Sequence, residues 1–115
     1  MTLATTIHRL TATLPRHELF GLSSQLRRAA ISIPSNIAEG TARRSTREFL
    51  AFLHIARGSF AELETQLLLA EKIGYIGAQD LSAIWPQLHE VGRLLNAVIR
   101  GLRRRDSRSS LSPVP

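Results

Sequence analysis

The sequence predicts an all-α protein, an antiparallel up-and-down four-helix bundle with a short first helix. Three observations predict it. Apolar residues recur in alternating steps of three and four along four separate segments, the period of one helix face. Links of about four to six residues separate the later segments, and links that short force neighbouring helices to run antiparallel. No run alternates apolar and polar residues with the period of a strand.

The first segment is the shortest. Leu3, Ile7, Leu10 and Leu14 form one stripe, and Pro15 stops it. The second is expected from about Glu18 to Glu39, with Leu22, Leu26, Ala29, Ile33 and Ile37 on its inner face and Ala30 beside them. Gly40 follows as the expected residue after the helix, where positive φ costs glycine nothing. Pro34 interrupts this segment at a cost of about 3 kcal/mol. The apolar spacing keeps phase across it, which favours a single kinked helix. The third segment opens with a capping box, Ser45 as N-cap and Glu48 three residues on. Phe49, Leu53, Ala56, Phe60, Leu63, Leu67 and Ala70 then step by four and three up to Gly74. The fourth is expected from about Asp80 to Arg104 on Leu81, Ile84, Leu88, Val91, Leu95, Val98 and Leu102. Pro86 is best tolerated in a first turn, so the regular helix is expected to begin as late as Trp85. Residues 1–105 make the bundle domain; residues 106–115, rich in Ser, Pro and Arg, read as a disordered basic tail.

Composition bounds the chemistry. The chain of 115 residues is long enough for one domain with a real core. It has no cysteine, which excludes disulfides and thiolate metal sites. No apolar run is long enough to span a bilayer, and the first 14 residues lack a charged start followed by an apolar block. The expected location is the cytoplasm. Fourteen arginines, one lysine and nine acidic residues give a formal charge of +6, a balance that favours polyanions. Arginine enrichment is also a common habit of GC-rich genomes.

No catalytic constellation assembles from the spacing. The Glu-x-x-His pairs that hold di-metal centres in bundles are missing, and His8, His17, His54 and His89 are scattered without ligand spacing. No metal and no cofactor are expected. The glycines form no phosphate cradle, and no serine has nucleophile-elbow flanks. Two groups remain. One is polar: Arg28, Ser32, Asn36 and Glu39 along the second segment, with Arg57, Ser59, Glu62 and Gln66 in the third. These are expected to form a register-setting network between the two helices, linking Arg28 and Arg57 to Glu39 and Glu62, because buried charges must be paired. Gly58, inside the third helix, is expected to allow close backbone approach. The rival reading makes Glu39 and Glu62 a catalytic carboxylate pair. The other group is basic: Arg43, Arg44 and Arg47 around the second link, and Arg100, Arg103, Arg104 and Arg105 near the end of the fourth helix. These seven are the candidate nucleic-acid contacts; the last four also suit the negative end of a helix dipole. Apolar residues lying off the main stripes, such as Ile55, Leu68, Leu69, Leu94 and Ile99, suggest a second buried face and hence self-association.

The run QLRRAAISIPSNIAEG at residues 25–40, followed by Arg43, Arg44, Ser45, Glu48, Phe49, Leu50, Phe52 and Leu53, resembles the bacterial four helix bundle protein family. So does IARGSFAELETQL at residues 55–67. That family includes proteins encoded in intervening sequences of large-subunit ribosomal RNA genes, and it is similar to the accessory protein of diversity-generating retroelements. The resemblance spans roughly residues 15–103. It implies a left-handed bundle assembling as a homopentameric ring, with no established enzyme activity. For the retroelement relatives it implies a basic surface that contacts nucleic acid and a reverse transcriptase. The short first helix and Trp85-Pro86 depart from the family pattern. The expected function is a non-enzymatic, homo-oligomeric bundle that binds RNA or DNA electrostatically. The alternatives are a protein-interaction scaffold for a nucleic-acid enzyme such as a reverse transcriptase and, behind it, an enzyme using Glu39 and Glu62.

Overall fold

The structure, a computed structural model, describes residues 2–111, with side chains described as far as Ser107. Four helices follow one another: α1 (Leu3–Thr11), α2 (Leu22–Thr41), α3 (Thr46–Ile73) and α4 (Ala78–Leu111). A 3-10 turn (Arg16–Glu18) lies between the first two. There is no strand among the described residues. Each helix packs on the next, and α1 also packs on α4, which closes the cycle of an up-and-down bundle. The molecule is a rod of 62 × 24 × 22 Å.

Local chemistry sets the ends. Thr2 caps α1 by accepting from the Thr5 amide. The Ser45 hydroxyl accepts from the Glu48 amide at 3.1 Å and donates to the Glu48 carboxylate at 3.2 Å, so the expected cap forms. Gly74 closes α3 at φ +94, the left-handed conformation that favours glycine.

Other ends differ from expectation. α2 starts at Leu22 rather than Glu18, because the Glu18 carboxylate folds back to accept the Leu22 amide at 3.1 Å. Gly40 lies inside α2, with no positive φ, rather than beyond its end. A Cβ at Gly40 would stand 2.6 Å from Cδ1 of Phe49 and 3.0 Å from Cβ of Phe52, so the glycine seats an aromatic pair of α3. Gly92 of α4 does the same for Phe60, whose Cζ lies 2.8 Å from the virtual Cβ. Gly58 is exposed with nothing within 4 Å of a Cβ; the expected close approach is at Gly40 and Gly92 instead. α2 continues through Pro34 as a single helix. α4 begins at Ala78, well before Pro86, with the Asp80 carboxylate accepting the Gly77 amide at 3.0 Å. It runs on through 106–111, the first part of the expected tail; residues 112–115 lie outside the described residues.

The core has two parts. The larger, around Ile7, Leu26, Leu63, Leu67 and Leu88, draws on all four helices. The smaller holds Leu50, Leu53, Ala56, Leu95 and Ile99, from α3 and α4 alone. Phe60 and Ile37 pack against both. The division follows from length. At 1.5 Å per residue α1 covers about 14 Å of a bundle whose α3 is about 42 Å long. In α4 the buried position is Ile99, 1% exposed, and Val98 is 44% exposed, the reverse of the expected stripe. Two polar contacts tie α1 to its neighbours, and a third, within α1, orients one of the hydroxyls that make them. Arg27 Nε donates to Thr11 Oγ1 at 2.7 Å, Thr11 Oγ1 donates to the His8 carbonyl at 2.9 Å, and Thr6 Oγ1 donates to Gln87 Oε1 at 3.0 Å.

Candidate functional site

Antiparallel topology brings the two arginine groups together. The α2–α3 link and the far part of α4 lie at the same end of the rod, because α4 runs back alongside α3. The contact between His54 of α3 and Arg103 of α4, at 3.2 Å, fixes that register. Arg43, Arg44, Arg47, Arg100, Arg103, Arg104 and Arg105 therefore share one end. All seven are exposed. Arg43 is tethered: it donates to Glu39 at 2.7 Å, and its guanidinium sits 4.8 Å above the centre of the Phe52 ring. No carboxylate pairs with the other six among the described residues.

Further along the α3–α4 groove the polar residues continue. Phe60, Glu64, His89, Arg93, Asn96 and Arg100 line an open cleft of about 340 Å³. Arg93 holds Glu90 through two bonds of 3.1 and 2.6 Å, and this pairing keeps the Glu90 carboxyl below the usual glutamate range. His54 stands between two guanidiniums. Arg57 Nη2 lies 3.1 Å from its Nδ1, and Arg103 Nη2 lies 3.2 Å from its Nε2. Burial, then Arg103 and Arg57, push the His54 pKa below that of an ordinary histidine.

The expected polar network forms in part. Ser32 and Ser59 share a hydrogen bond of 2.7 Å across α2 and α3, and the Asn36 amide donates to Ser32 Oγ at 2.9 Å and to its carbonyl at 2.8 Å. The charged half does not form. Arg57 turns to His54, Glu39 to Arg43, and Arg28 and Glu62 are exposed; no ion pair joins α2 to α3 among the described residues. The reason is solvent access: charges that reach water need no buried partner. Gln66 Oε1 is buried without a protein partner. Glu39 and Glu62 are not a pair either. The Ser32–Ser59 register puts them about ten residues apart along the bundle, roughly 15 Å.

A second feature is apolar. Ile37, Phe49, Leu53, Val91, Leu94 and Val98 line an open groove of about 350 Å³ among α2, α3 and α4. Ile37 and Val91 also line the pocket under Thr2 and Leu3, so the groove continues where α1 stops. At the opposite end of the rod the Tyr75 hydroxyl donates to Glu18 Oε2 at 2.7 Å. The Leu22 amide and this hydroxyl hold Glu18 below the usual glutamate range.

His54 is the residue that spacing alone left among scattered histidines. Arg57, three residues on, was the visible half of the signal; Arg103, 49 residues away, needed the topology.

The model of the 23S rRNA-intervening sequence protein family matches residues 1–97. No curated protein matches the chain. Among solved structures, a protein of unknown function from the S23 ribosomal protein family of Bacteroides thetaiotaomicron is similar. It is 30% identical with a TM-score of 0.78, over 84% of this chain and 91% of that one.

Proposed function

The chain belongs to the 23S rRNA-intervening sequence protein family, and on that premise we propose that it is a non-enzymatic, self-associating bundle that binds RNA or DNA through its arginine-rich end. One observation carries the reading: the fold gathers seven arginines from two distant stretches of sequence onto one end, six of them without a carboxylate partner among the described residues. Exposed guanidiniums suit phosphates, and contacts of this kind bind the backbone with little regard to base sequence. The aromatic ring beside them, Phe52, is covered by the Arg43 guanidinium. Tyr75 is bonded to Glu18 at the far end, and Trp85 lies in the early part of α4.

Self-association, as a homopentamer by the family resemblance, is supported by apolar side chains left on the surface. Leu68, Leu69, Leu94 and Val98 are each between 44 and 50% exposed, apolar area that packing against a second copy would remove from water. A ring repeats the arginine end around its axis, so weak phosphate contacts add. The expected setting is the cytoplasm.

Salt tests the binding. With about five arginines each neutralising a phosphate, log K falls with log salt at a slope of roughly −4 to −5 on duplex DNA. Light scattering supplies the particle mass. Binding that is absent at about 50 mM salt, or indifferent to salt, contradicts the proposal. The apolar groove favours a second reading, a scaffold for a protein partner such as a reverse transcriptase. That reading calls for a co-purifying protein and poor binding of bare nucleic acid.

A further inference from the structure

We propose that His54, Arg57 and Arg103 form a discrete phosphate-binding clamp between α3 and α4. The argument starts from a surplus of donors. A neutral imidazole offers one N–H and one lone pair, and a guanidinium offers donors only. Arg57 stands 3.1 Å from one ring nitrogen and Arg103 stands 3.2 Å from the other. Whichever tautomer is present, one guanidinium meets the lone pair and the other meets an N–H. Arg57 and Arg103 thus flank opposite edges of the ring, and on the edge that carries the N–H two donors face each other with no acceptor between them. Neither arginine pairs with a carboxylate among the described residues. An anion that accepts from that N–H and from the facing guanidinium resolves the conflict, and a phosphate has the oxygens for it.

Two further features suit a phosphate. The site is preorganised: Arg57 is half-buried on rigid helix, and burial helps keep His54 uncharged at neutral pH, so its lone pair steadies one guanidinium. The surroundings are mainly basic, although Asp106 lies one turn beyond Arg103. Arg47 sits two turns before His54 along α3, and Arg100 one turn before Arg103 along α4. The clamp deepens the nucleic-acid reading, and its phosphodiester form rests on that reading. A free phosphate would satisfy the same donors.

The test is NMR of the histidine rings in the full-length chain. His17 lies at the other end of the rod and His8 in the other half of it, and both serve as internal references. Inorganic phosphate is titrated against sodium chloride of equal ionic strength, then a ten-nucleotide oligothymidylate is titrated. The clamp predicts that phosphate moves the His54 signals and leaves His8 and His17 in place. Arg57→Gln and Arg103→Gln each weaken the effect by about tenfold, and Arg28→Gln, with the same loss of charge elsewhere, leaves it unchanged. Circular dichroism checks that each variant keeps its helices. If the oligonucleotide moves His54 with the same dependence on the two arginines, the phosphodiester backbone is the source. If only inorganic phosphate does so and the oligonucleotide fails to bind, the clamp stands with free phosphate as its ligand, and the nucleic-acid reading falls. An oligonucleotide that binds with a steep salt slope but discriminates Arg57→Gln no more than Arg28→Gln overturns the clamp and spares the wider reading. Chloride moving His54 as far as phosphate also overturns it.

Discussion

Alanine at Gly58 and alanine at Gly40 make the same chemical change at two helix-interior positions, and the packing predicts opposite outcomes. In an exposed helix interior, glycine to alanine gains about 1 kcal/mol. At Gly58 a new methyl meets nothing within 4 Å, so the gain is realised in full and the melting temperature rises by roughly 4 °C. At Gly40 the methyl would lie 2.6 Å from Phe49 Cδ1 and 3.0 Å from Phe52 Cβ. Carbon atoms at rest sit about 3.5–4.0 Å apart. The Phe49 ring can rotate away, but the Phe52 Cβ moves only with the α3 backbone. Overpacking of this kind costs about 1–3 kcal/mol, which leaves a net loss of up to about 2 kcal/mol after the propensity gain. Thermal and urea melts measure both, at one protein concentration, because self-association would shift the midpoint. Phe49→Leu placed in the Gly40→Ala background should recover part of the loss, a coupling that a double-mutant cycle isolates. Gly40→Ala stabilising as much as Gly58→Ala would refute the reasoning, and so would a coupling of zero.

Three other perturbations follow from the same structure. Ile99→Ala should cost about 2–5 kcal/mol in a denaturant melt, against less than about 0.5 kcal/mol for Val98→Ala at a concentration where the chain is monomeric. Equal losses would restore the simple stripe. Ser45→Ala should cost about 1 kcal/mol by removing the α3 cap, and Thr at the same position should keep most of it. Glu18 has a folded pKa below its unfolded value, so its contribution is complete above about pH 4.5 and drains away as the pH falls through the folded value. Tyr75→Phe should therefore narrow the stability difference between pH 7 and pH 3, and Glu18→Gln should narrow it further; unchanged pH profiles would remove both groups from the account.

Much of the fold was legible because its signals are local. The Ser45-Glu48 box and Gly74 bracket α3 as read, and the α3 stripe is buried at Leu53, Ala56, Leu63, Leu67 and Ala70. The α4 stripe holds from Ile84 to Leu95 and then slips by one residue. A strict seven-residue pattern drifts by about 20° per heptad against a straight helix, so over this length the inward position moves from Val98 to Ile99. Gly40 is ambiguous in sequence because a missing Cβ looks the same whether it permits a left-handed turn or receives a phenyl ring. The arginine–glutamate network failed because spacing shows which charges share a face and says nothing of whether water reaches them. The arginine end was visible only as two clusters; their union is a product of topology, and so is the meeting of His54 with Arg103.

The direct test compares two triple variants that lose the same charge. Arg44→Gln/Arg100→Gln/Arg104→Gln strips the arginine end, and Arg9→Gln/Arg16→Gln/Arg28→Gln strips the opposite part of the rod. Affinity for one short RNA, measured at one salt concentration, should fall at least about tenfold for the first and little for the second. Equal losses in the two would contradict a localised interface, because they are what net charge alone produces.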